Sequence, residues 1–230
     1  MNKVYKKRKK LVDLVKNKKV YEPSEAIKIL KENSYVNFNE TIDISINLGI
    51  DSNKTEQNVK GVMNLPNGNG KDVTVTVVTN DEKQSEAKDN GASTVGGKEL
   101  IDTFLKGKID FDILIASPDM MPFLGKVAKI LGPKGLMPNP KLGTVTNEIG
   151  KAVKEAKSGQ VKFKNDKAGI VHAGIAKLDF NEEIILENLK SFYSSVLKSK
   201  PDSIKGSFIK KVTIASTMGV GLEINQASLR

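Results

Sequence analysis

The sequence contains no cysteine, no tryptophan and only one histidine among its 230 residues. Without cysteine, the chain can form neither disulfides nor thiolate metal sites, and it has no cysteine nucleophile. His172 alone cannot build a histidine-rich metal site, and any Ser-His-Asp chemistry would depend on it. We therefore expect a non-enzyme with no catalytic residue, no metal and no cofactor, in which His172 has a structural or partner-contacting role.

Long apolar runs are also missing. No stretch approaches the roughly 20 apolar residues of a membrane-spanning helix, and the basic N-terminus is not followed by an apolar core of the signal-peptide type. We expect a soluble cytoplasmic protein that does not enter a membrane. Positive charge is abundant instead, since 37 Lys and Arg residues outnumber 27 Asp and Glu residues and give a formal net charge of +10. This balance favours a polyanionic partner, with nucleic acid first and an anionic membrane surface second.

Both ends of the chain predict helices and half-buried strands. Residues 38–48 alternate between apolar and polar side chains, a period of two that indicates a strand with one buried and one open face. Pro23 favours a helix start, and the apolar pattern from Glu182 to Lys198 predicts a long helix that Pro201 ends. Further strands are predicted over Val59 to Leu65, Val161 to Lys164, Ile170 to Ala176 and Ser207 to Ser216.

The middle of the chain has a different pattern. Short apolar strands, Asp72 to Thr79 and Phe111 to Ala116, alternate with helices, which is typical of βαβ units around a parallel sheet. Charge follows the same division: residues 68–158 hold 13 basic and 12 acidic residues, net +1, and the remainder holds 24 and 15, net +9. We predict an α/β protein in which an α+β domain, residues 1–66 plus 160–230, is split by an inserted Rossmann-like α/β domain, residues 67–159.

Three stretches allow other functions. Gly91 to Glu99 resembles a phosphate-binding loop, but its spacing is wrong and Glu99 replaces the hydroxyl that would hold Mg²⁺. A nucleotide-dependent α/β enzyme using the inserted domain is therefore an alternative. Residues 1–20 carry nine basic residues against one acid, which fits a helix near phosphates, a solvated surface helix or a peripheral membrane binder. Leu131 to Thr144 holds three prolines and three glycines and predicts an ordered loop, either a connector or a partner surface.

This proline- and glycine-rich loop also carries a family resemblance. Its sequence GPKGLMPNPKLGTVT resembles that of the universal L-one family of bacterial large-subunit ribosomal proteins, the proteins of the mobile side stalk. The resemblance covers nearly the whole chain. Its other segments are Phe38-Asn-Glu-Thr41, Asp51 to Gly61, Leu65-Pro66 with Gly68 to Lys71, Gly96-Gly97, Phe111-Asp112, Phe163 to Lys167 and Ser216-Thr-Met-Gly219.

The resemblance implies a structural constituent of the ribosome rather than an enzyme. The split domain would bind the rRNA of the side stalk, and the inserted domain would extend the moving surface towards deacylated tRNA leaving the exit site. The family also represses translation of its own operon by binding its own mRNA. The chain would then be cytoplasmic, a monomer within the ribosome, with large-subunit rRNA, exit-site tRNA and its own operon mRNA as partners.

The same resemblance implies a set of rRNA-binding residues, which are Phe38, Thr41, Lys54, Lys164, Lys167, Ser216, Thr217, Met218 and Gly219. The chemistry is consistent, because Thr217 offers a hydroxyl to a phosphate or 2′-OH, and Phe38 and Met218 offer apolar contacts to bases. The residues alone favour the alternative that Phe38 is a core residue on the apolar face and that Thr217 to Gly219 is only a turn.

The chain also departs from the family pattern. Val220 stands where a proline is usual, which puts the stiffness of the turn in doubt. Lys54 and Lys60 stand where arginine is common, so they keep the charge without the bidentate guanidinium. Lys211 replaces a small hydroxyl residue, so no contact is carried over there.

Overall fold

The computed structural model describes residues 12, 15, 20–52, 54–140, 143–204 and 206–229. The helix predicted within residues 1–20 therefore lies almost entirely outside the described residues. Contacts divide the chain into two compact units, Met1–Gly70 with Val161–Arg230 and Lys71–Gln160. The predicted α/β fold class is confirmed, because helices and strands are mixed in several sheets.

The elements are numbered in chain order. The helices are α1 (Pro23–Glu32), α2 (Gln84–Asp89), α3 (Lys98–Leu105), α4 (Ile149–Lys157) and α5 (Glu182–Lys198). The strands are β1 (Thr41–Leu48), β2 (Lys60–Asn64), β3 (Val75–Val78), β4 (Thr94–Gly96), β5 (Ile113–Ala116), β6 (Gln160–Lys164), β7 (Ile170–Lys177), β8 (Ile209–Ser216) and β9 (Leu222–Glu223). Short helical turns occupy Pro118–Met120, Met121–Leu124, Gly125–Val127 and Ala128–Leu131.

The first unit is organised around β1, which with β8 forms the two inner strands of a sheet ordered β7-β1-β8-β9. Strands β7 and β8 both pair with β1 in antiparallel register. The predicted alternation of buried and open side chains along β1 is confirmed. Ile42, Ile44 and Ile46 are fully buried in a core shared with α1 and α5. The side chains between them lie on the opposite face, which no described helix covers. A second, two-stranded sheet joins β2 and β6.

Phe38 does not belong to this strand. The strand begins at Thr41, and Phe38 lies in a bend before it with 53% of its surface exposed. Both the prediction that Phe38 shares the apolar face of the strand and the alternative that it is a core residue are wrong. Periodicity could not show this, because an aromatic residue at the correct spacing fits the alternation whether or not the chain has already become extended.

The second unit contains a parallel sheet ordered β4-β3-β5. Every residue of β3 and β5 is buried, as expected for strands covered on both faces. Val75, Val77 and Ile115 pack with α2 and α4, whereas Val78 and Leu114 pack with α3 and the helical turns that follow β5. Strand β4 was not predicted, and neither was β9, because three and two residues are too few to show alternation.

The first half of the proline- and glycine-rich loop is a helix C-cap. The N–H of Leu136 donates to the carbonyl of Leu131 at 3.1 Å, and the N–H of Gly135 donates to that of Gly132 at 3.0 Å. With Gly135 at φ +70°, these two bonds form a Schellman motif, in which the residue after the helix adopts the left-handed conformation. Leu136 packs against the core that buries Leu131, which is the hydrophobic contact that accompanies this motif.

The second half of the loop joins the sheet. Thr144 is 3% exposed, and its hydroxyl both accepts the N–H of Asn139 at 2.8 Å and donates to the carbonyl of Asn139 at 3.2 Å. The carbonyl of Thr144 then accepts the N–H of Ala116 at 2.9 Å, so Val145 forms a parallel bridge with the end of β5. These contacts connect the described ends of the loop to the sheet.

A pair of alanine substitutions tests this cap. Neither Gly135 nor Gly125 has a neighbour near the position of an added Cβ, but Gly135 has φ +70° and Gly125 has φ −54°. We expect Gly135→Ala to destabilise the second unit by about 1–2 kcal/mol, the cost of a left-handed conformation for alanine. Gly125→Ala should be neutral or stabilising by up to about 1 kcal/mol. Hydrogen exchange of the β3 and β5 amides measures both, and equal effects would contradict the Schellman assignment.

Candidate RNA-binding surface

Two segments distant in sequence meet at one corner of the four-stranded sheet, where β1 begins and β8 ends. The N–H of Thr41 donates to the hydroxyl of Thr217 at 3.0 Å, and the N–H of Thr217 donates to the carbonyl of Thr41 at 3.1 Å. The hydroxyl of Thr217 also lies 3.3 Å from that carbonyl. Lys177 at the end of β7 donates from Nζ to the hydroxyl of Thr41 at 3.0 Å. The corner is therefore held by backbone and side-chain bonds together.

The turn from Ser216 to Gly219 is held by contacts with residues outside the turn as well as by its own hydrogen bond. Its own bond runs from the N–H of Gly219 to the carbonyl of Ser216 at 3.0 Å. The hydroxyl of Tyr35 donates to the carbonyl of Met218 at 2.7 Å, and Val220 packs against the main core. A Cβ on Gly219 would stand 2.4 Å from Oγ of Ser216, so a larger residue would require the Ser216 hydroxyl to move from its present position. The turn thus has a defined shape although Val220 replaces the usual proline.

Large apolar side chains remain in solvent at this corner. Phe38 is 53% exposed and Met218 is 42% exposed. Because each side chain leaves much of its apolar surface in water, its burial contributes little to the stability of the fold. An exposed aromatic ring offers stacking to an unpaired base, and an exposed thioether offers adaptable apolar contact.

The uncovered face of the sheet continues from this corner. It carries an open cavity of about 620 Å³ lined by Asp43, Ser45, His172, Ala173, Gly174, Ala215, Ser216, Thr217 and Gly219. His172 is exposed here, with Nδ1 3.0 Å from the hydroxyl of Ser45 and Nε2 3.5 Å from a carboxylate oxygen of Asp166. Burial raises the pKa of Asp43 above its ordinary value, although nearby Lys177 and His172 act in the opposite direction. The face therefore mixes hydroxyl, imidazole and carboxylate groups.

Lys164 and Lys167 lie at the opposite end of the sheet, around the turn between β6 and β7. Asn165 shapes this turn, since its side-chain oxygen Oδ1 accepts the backbone N–H of Val59 at 2.8 Å. Asp166 accepts the backbone N–H groups of Ala168 at 2.9 Å and Ile170 at 2.8 Å. The bond from Ile170 is the main reason why the pKa of Asp166 is lowered. Both lysines are exposed and line one cavity of about 480 Å³.

Lys54 lies in the neighbouring loop, where its carbonyl accepts the N–H of Gln57 at 3.0 Å. The hydroxyl of Ser52 in the same loop donates to the carbonyl of Lys167, which ties the loop to the β6–β7 turn. The side chain of Lys54 is exposed but does not line the cavity shared by Lys164 and Lys167. Lys211, on β8, forms an ion pair with Glu223 at 2.7 Å.

The predicted residues thus form two groups, one near each end of strands β1 and β7. The first group comprises Phe38, Thr41, Ser216, Thr217, Met218 and Gly219, and the second comprises Lys54, Lys164 and Lys167. Because Thr41 pairs with Lys177 at one end and Asn47 pairs with Ile170 at the other, the ends lie about 20 Å apart along β1, at about 3.3 Å per residue. Sequence reasoning missed Ser34, Tyr35, Glu40 and Lys177 at the first corner, because no local pattern links them to the turn.

Comparison with known proteins gives the family. The model of the Ribosomal protein L1p/L10e family matches residues 30–220. The chain belongs to this family. It is 50% identical over 215 residues to the large ribosomal subunit protein uL1 of Rickettsia peacockii (strain Rustic), and 51% identical over 215 residues to that of Rickettsia bellii (strain OSU 85-389). Each alignment covers 94% of this chain and 90% of the relative.

Membership of a ribosomal protein family agrees with the prediction that the chain is not an enzyme. The nucleotide-enzyme alternative has one structural counterpart, a cavity of about 840 Å³ at the carboxyl ends of β3 and β4, where α/β folds bind ligands. Its lining includes Asp81 and Glu99 against the single cation of Lys98. Two carboxylates beside one ammonium oppose the binding of a polyphosphate, so the cavity does not favour this alternative.

Within the part of the chain that the structure describes, no helix is long and apolar enough to cross a membrane. The membrane-binding alternative for residues 1–20 falls outside the described residues.

Proposed function

We propose that this chain is a structural constituent of the large ribosomal subunit, and that it binds the rRNA of the mobile side stalk through the uncovered face of the β7-β1-β8-β9 sheet. One observation carries the proposal. Phe38 and Met218 stand exposed on two segments that hydrogen bonds lock together at one corner. Apolar side chains that remain in water on two connected segments are available for contact with a partner.

The two ends of the face suit different parts of an RNA. At the corner, Phe38 and Met218 would contact unstacked bases, and the exposed Thr217 hydroxyl would meet a phosphate or a 2′-OH. About 20 Å away along the strand, Lys164 and Lys167 would pair with phosphates. A folded RNA that presents a loop at one end and backbone at the other fits this spacing, whereas a free nucleotide could not reach both groups.

The finer activities follow from the family resemblance. We propose that the second unit extends the stalk surface that assists release of deacylated tRNA from the exit site. We also propose that the rRNA-binding face binds a structure in the mRNA of the protein's own operon and represses its translation. In that case a leader fragment of this mRNA should compete with stalk rRNA for one site, and failure to compete would contradict the repressor role.

A salt series tests the rRNA proposal. The wild type should bind a stalk rRNA fragment more tightly than a scrambled RNA of the same length, with affinity falling linearly on a log–log plot against salt. Equal affinity for both RNAs at every salt concentration would overturn the proposal, because charge alone would then account for binding.

Two double substitutions distinguish the lysines that we propose to contact phosphates from lysines elsewhere on the surface. Lys164→Gln with Lys167→Gln should reduce the magnitude of the salt slope by about 1.4–1.8, since each phosphate contact contributes about 0.7–0.9. Lys190→Gln with Lys198→Gln removes the same charge from exposed positions of α5, the helix on the covered side of the sheet, and should leave the slope unchanged. Equal slopes for the two variants would exclude Lys164 and Lys167 from the interface.

A further inference from the structure

Glu40 is a buried acidic residue at the corner that carries Phe38 and Thr217. Its surface is 1% exposed, although a carboxylate loses much of its hydration when it is buried. The fold compensates with hydrogen bonds to the two oxygens. Oε1 accepts the backbone N–H of Met218 at 2.8 Å and the hydroxyl of Ser216 at 3.2 Å, and Oε2 accepts the hydroxyl of Ser34 at 2.8 Å.

These three donors come from two distant parts of the chain. Ser34 follows helix α1, whereas Ser216, the last residue of β8, and Met218 both belong to the Ser216–Gly219 turn. The backbone carbonyl of Glu40 adds a fourth connection, because it accepts the N–H of Leu178 just beyond β7 at 2.9 Å. One side chain therefore fixes the distance between the segment that begins β1 and the turn that follows β8.

We propose that Glu40 is the positioning residue of the rRNA-binding surface: its carboxylate holds the Ser216–Gly219 turn against the Phe38–Thr41 segment, so that both segments present their exposed side chains in one arrangement. This inference rests on the proposed function. Glu40 itself does not touch the RNA, since it is buried beneath the corner. Its bond to the N–H of Met218 leaves the methionine side chain free to face the partner.

The geometry predicts that the length of the side chain at position 40 matters more for RNA binding than its charge. Glutamine at position 40 keeps the length of the side chain: its carbonyl oxygen can accept the bonds from Met218 and Ser216, and its amide can donate to the hydroxyl of Ser34. Aspartate keeps the charge but withdraws the carboxylate by one methylene, about 1.5 Å. Since a hydrogen bond of 2.8 Å lengthened by that amount is no longer a hydrogen bond, aspartate cannot make the same contacts.

The experiment compares Glu40→Gln with Glu40→Asp in the full-length chain. We expect Glu40→Gln to bind the stalk rRNA fragment within threefold of the wild type. Glu40→Asp should lose tenfold or more, with an unchanged salt slope because no phosphate-contacting cation has been removed. If the charge of Glu40 were the important property, Glu40→Asp would bind the RNA more tightly than Glu40→Gln. The proposal is overturned if Glu40→Asp binds as tightly as Glu40→Gln, or more tightly.

A second measurement without RNA separates the two proposals. Hydrogen exchange at the Met218 amide should be slow in the wild type and in Glu40→Gln, and faster in Glu40→Asp, because that amide then lacks its acceptor. Unchanged exchange in Glu40→Asp would show that Glu40 does not hold the turn. If the wild type instead fails to discriminate between stalk and scrambled RNA, the proposed function fails, while the amide still reports whether Glu40 positions the turn.

Discussion

Replacing Phe38 by alanine is expected to weaken binding of the stalk rRNA fragment by about 1–3 kcal/mol, the usual loss when an aromatic ring that stacks on a base is truncated. This corresponds to roughly 5- to 150-fold in affinity. The stability of the folded chain should change by less than about 0.5 kcal/mol, as for most surface substitutions. Phe38 is 53% exposed, so its removal opens no cavity in the core.

Leu197→Ala is the matched control for this prediction. Leu197 is 42% exposed and lies near the end of α5, the helix that covers the opposite face of the sheet. Its truncation removes a similar apolar group from the surface and should leave RNA affinity within twofold of the wild type. Direct binding by fluorescence anisotropy with a labelled RNA measures both variants. Equal losses for Phe38→Ala and Leu197→Ala would mean that the corner is not a contact site.

Met218→Ala extends the test to the second exposed apolar side chain at this corner. If Phe38 and Met218 contact the same base or adjacent bases, the effects of the two substitutions should not add, and the double variant should lose less than the sum of the single losses. Additive losses would place the two side chains on separate, independent contacts. The Met218 backbone bonds to Tyr35 and Glu40 persist in the alanine variant, so the turn itself is retained.

Asn188→Ala is expected to destabilise the first unit by about 1–3 kcal/mol, because it leaves buried polar groups without partners. Asn188 is fully buried within α5. Its amide nitrogen donates to the carbonyls of Ile175 and Gly68, each at 2.9 Å. Its oxygen accepts the N–H of Asn67 at 3.3 Å. One side chain thus connects the helix to β7 and to the segment that leaves the first unit.

Tyrosine fluorescence during denaturant unfolding measures this loss selectively. The chain has four tyrosines and no tryptophan, and none of the tyrosines lies in the second unit, so the signal reports the first unit. Asn67→Ala is the control, since it removes only the exposed bond to Glu187 and should cost less than about 0.5 kcal/mol. If Asn188→Ala unfolds at the same denaturant concentration as Asn67→Ala, the buried bonds of Asn188 do not stabilise the unit.

Several features of the fold were predictable because they depend on local sequence. The alternation in β1 predicted which of its side chains are buried, and the short apolar run that contains β5 predicted a strand of a parallel sheet. The density of proline and glycine between Leu131 and Thr144 predicted an ordered loop. Its Schellman cap could not be recognised in advance, since the cap requires the position of the preceding helix end, and that helix is broken into short turns.

The candidate site was predictable only in part. The family resemblance named Phe38, Thr41 and the Ser216–Gly219 turn, although the apolar spacing by itself placed Phe38 on the buried face. Nothing in the local sequence connects Glu40 or Tyr35 with Met218, because their bonds span 178 and 183 positions of the chain. Such contacts exist only once β1 and β8 are paired.

The sequence by itself determined the chemical class of this protein. Its excess of positive charge favours a polyanionic partner, its lack of cysteine and its single histidine weigh against redox and hydrolytic chemistry, and its periodicities predict a mixed α/β chain. Only the tertiary structure decided where those properties act. Antiparallel pairing of β1 with β7 and β8 brings residues 38–41 and 216–219 to one corner and leaves one sheet face that no described helix covers. Composition and periodicity report averages and local repeats, whereas a surface built from distant segments depends on the register in which the strands pair.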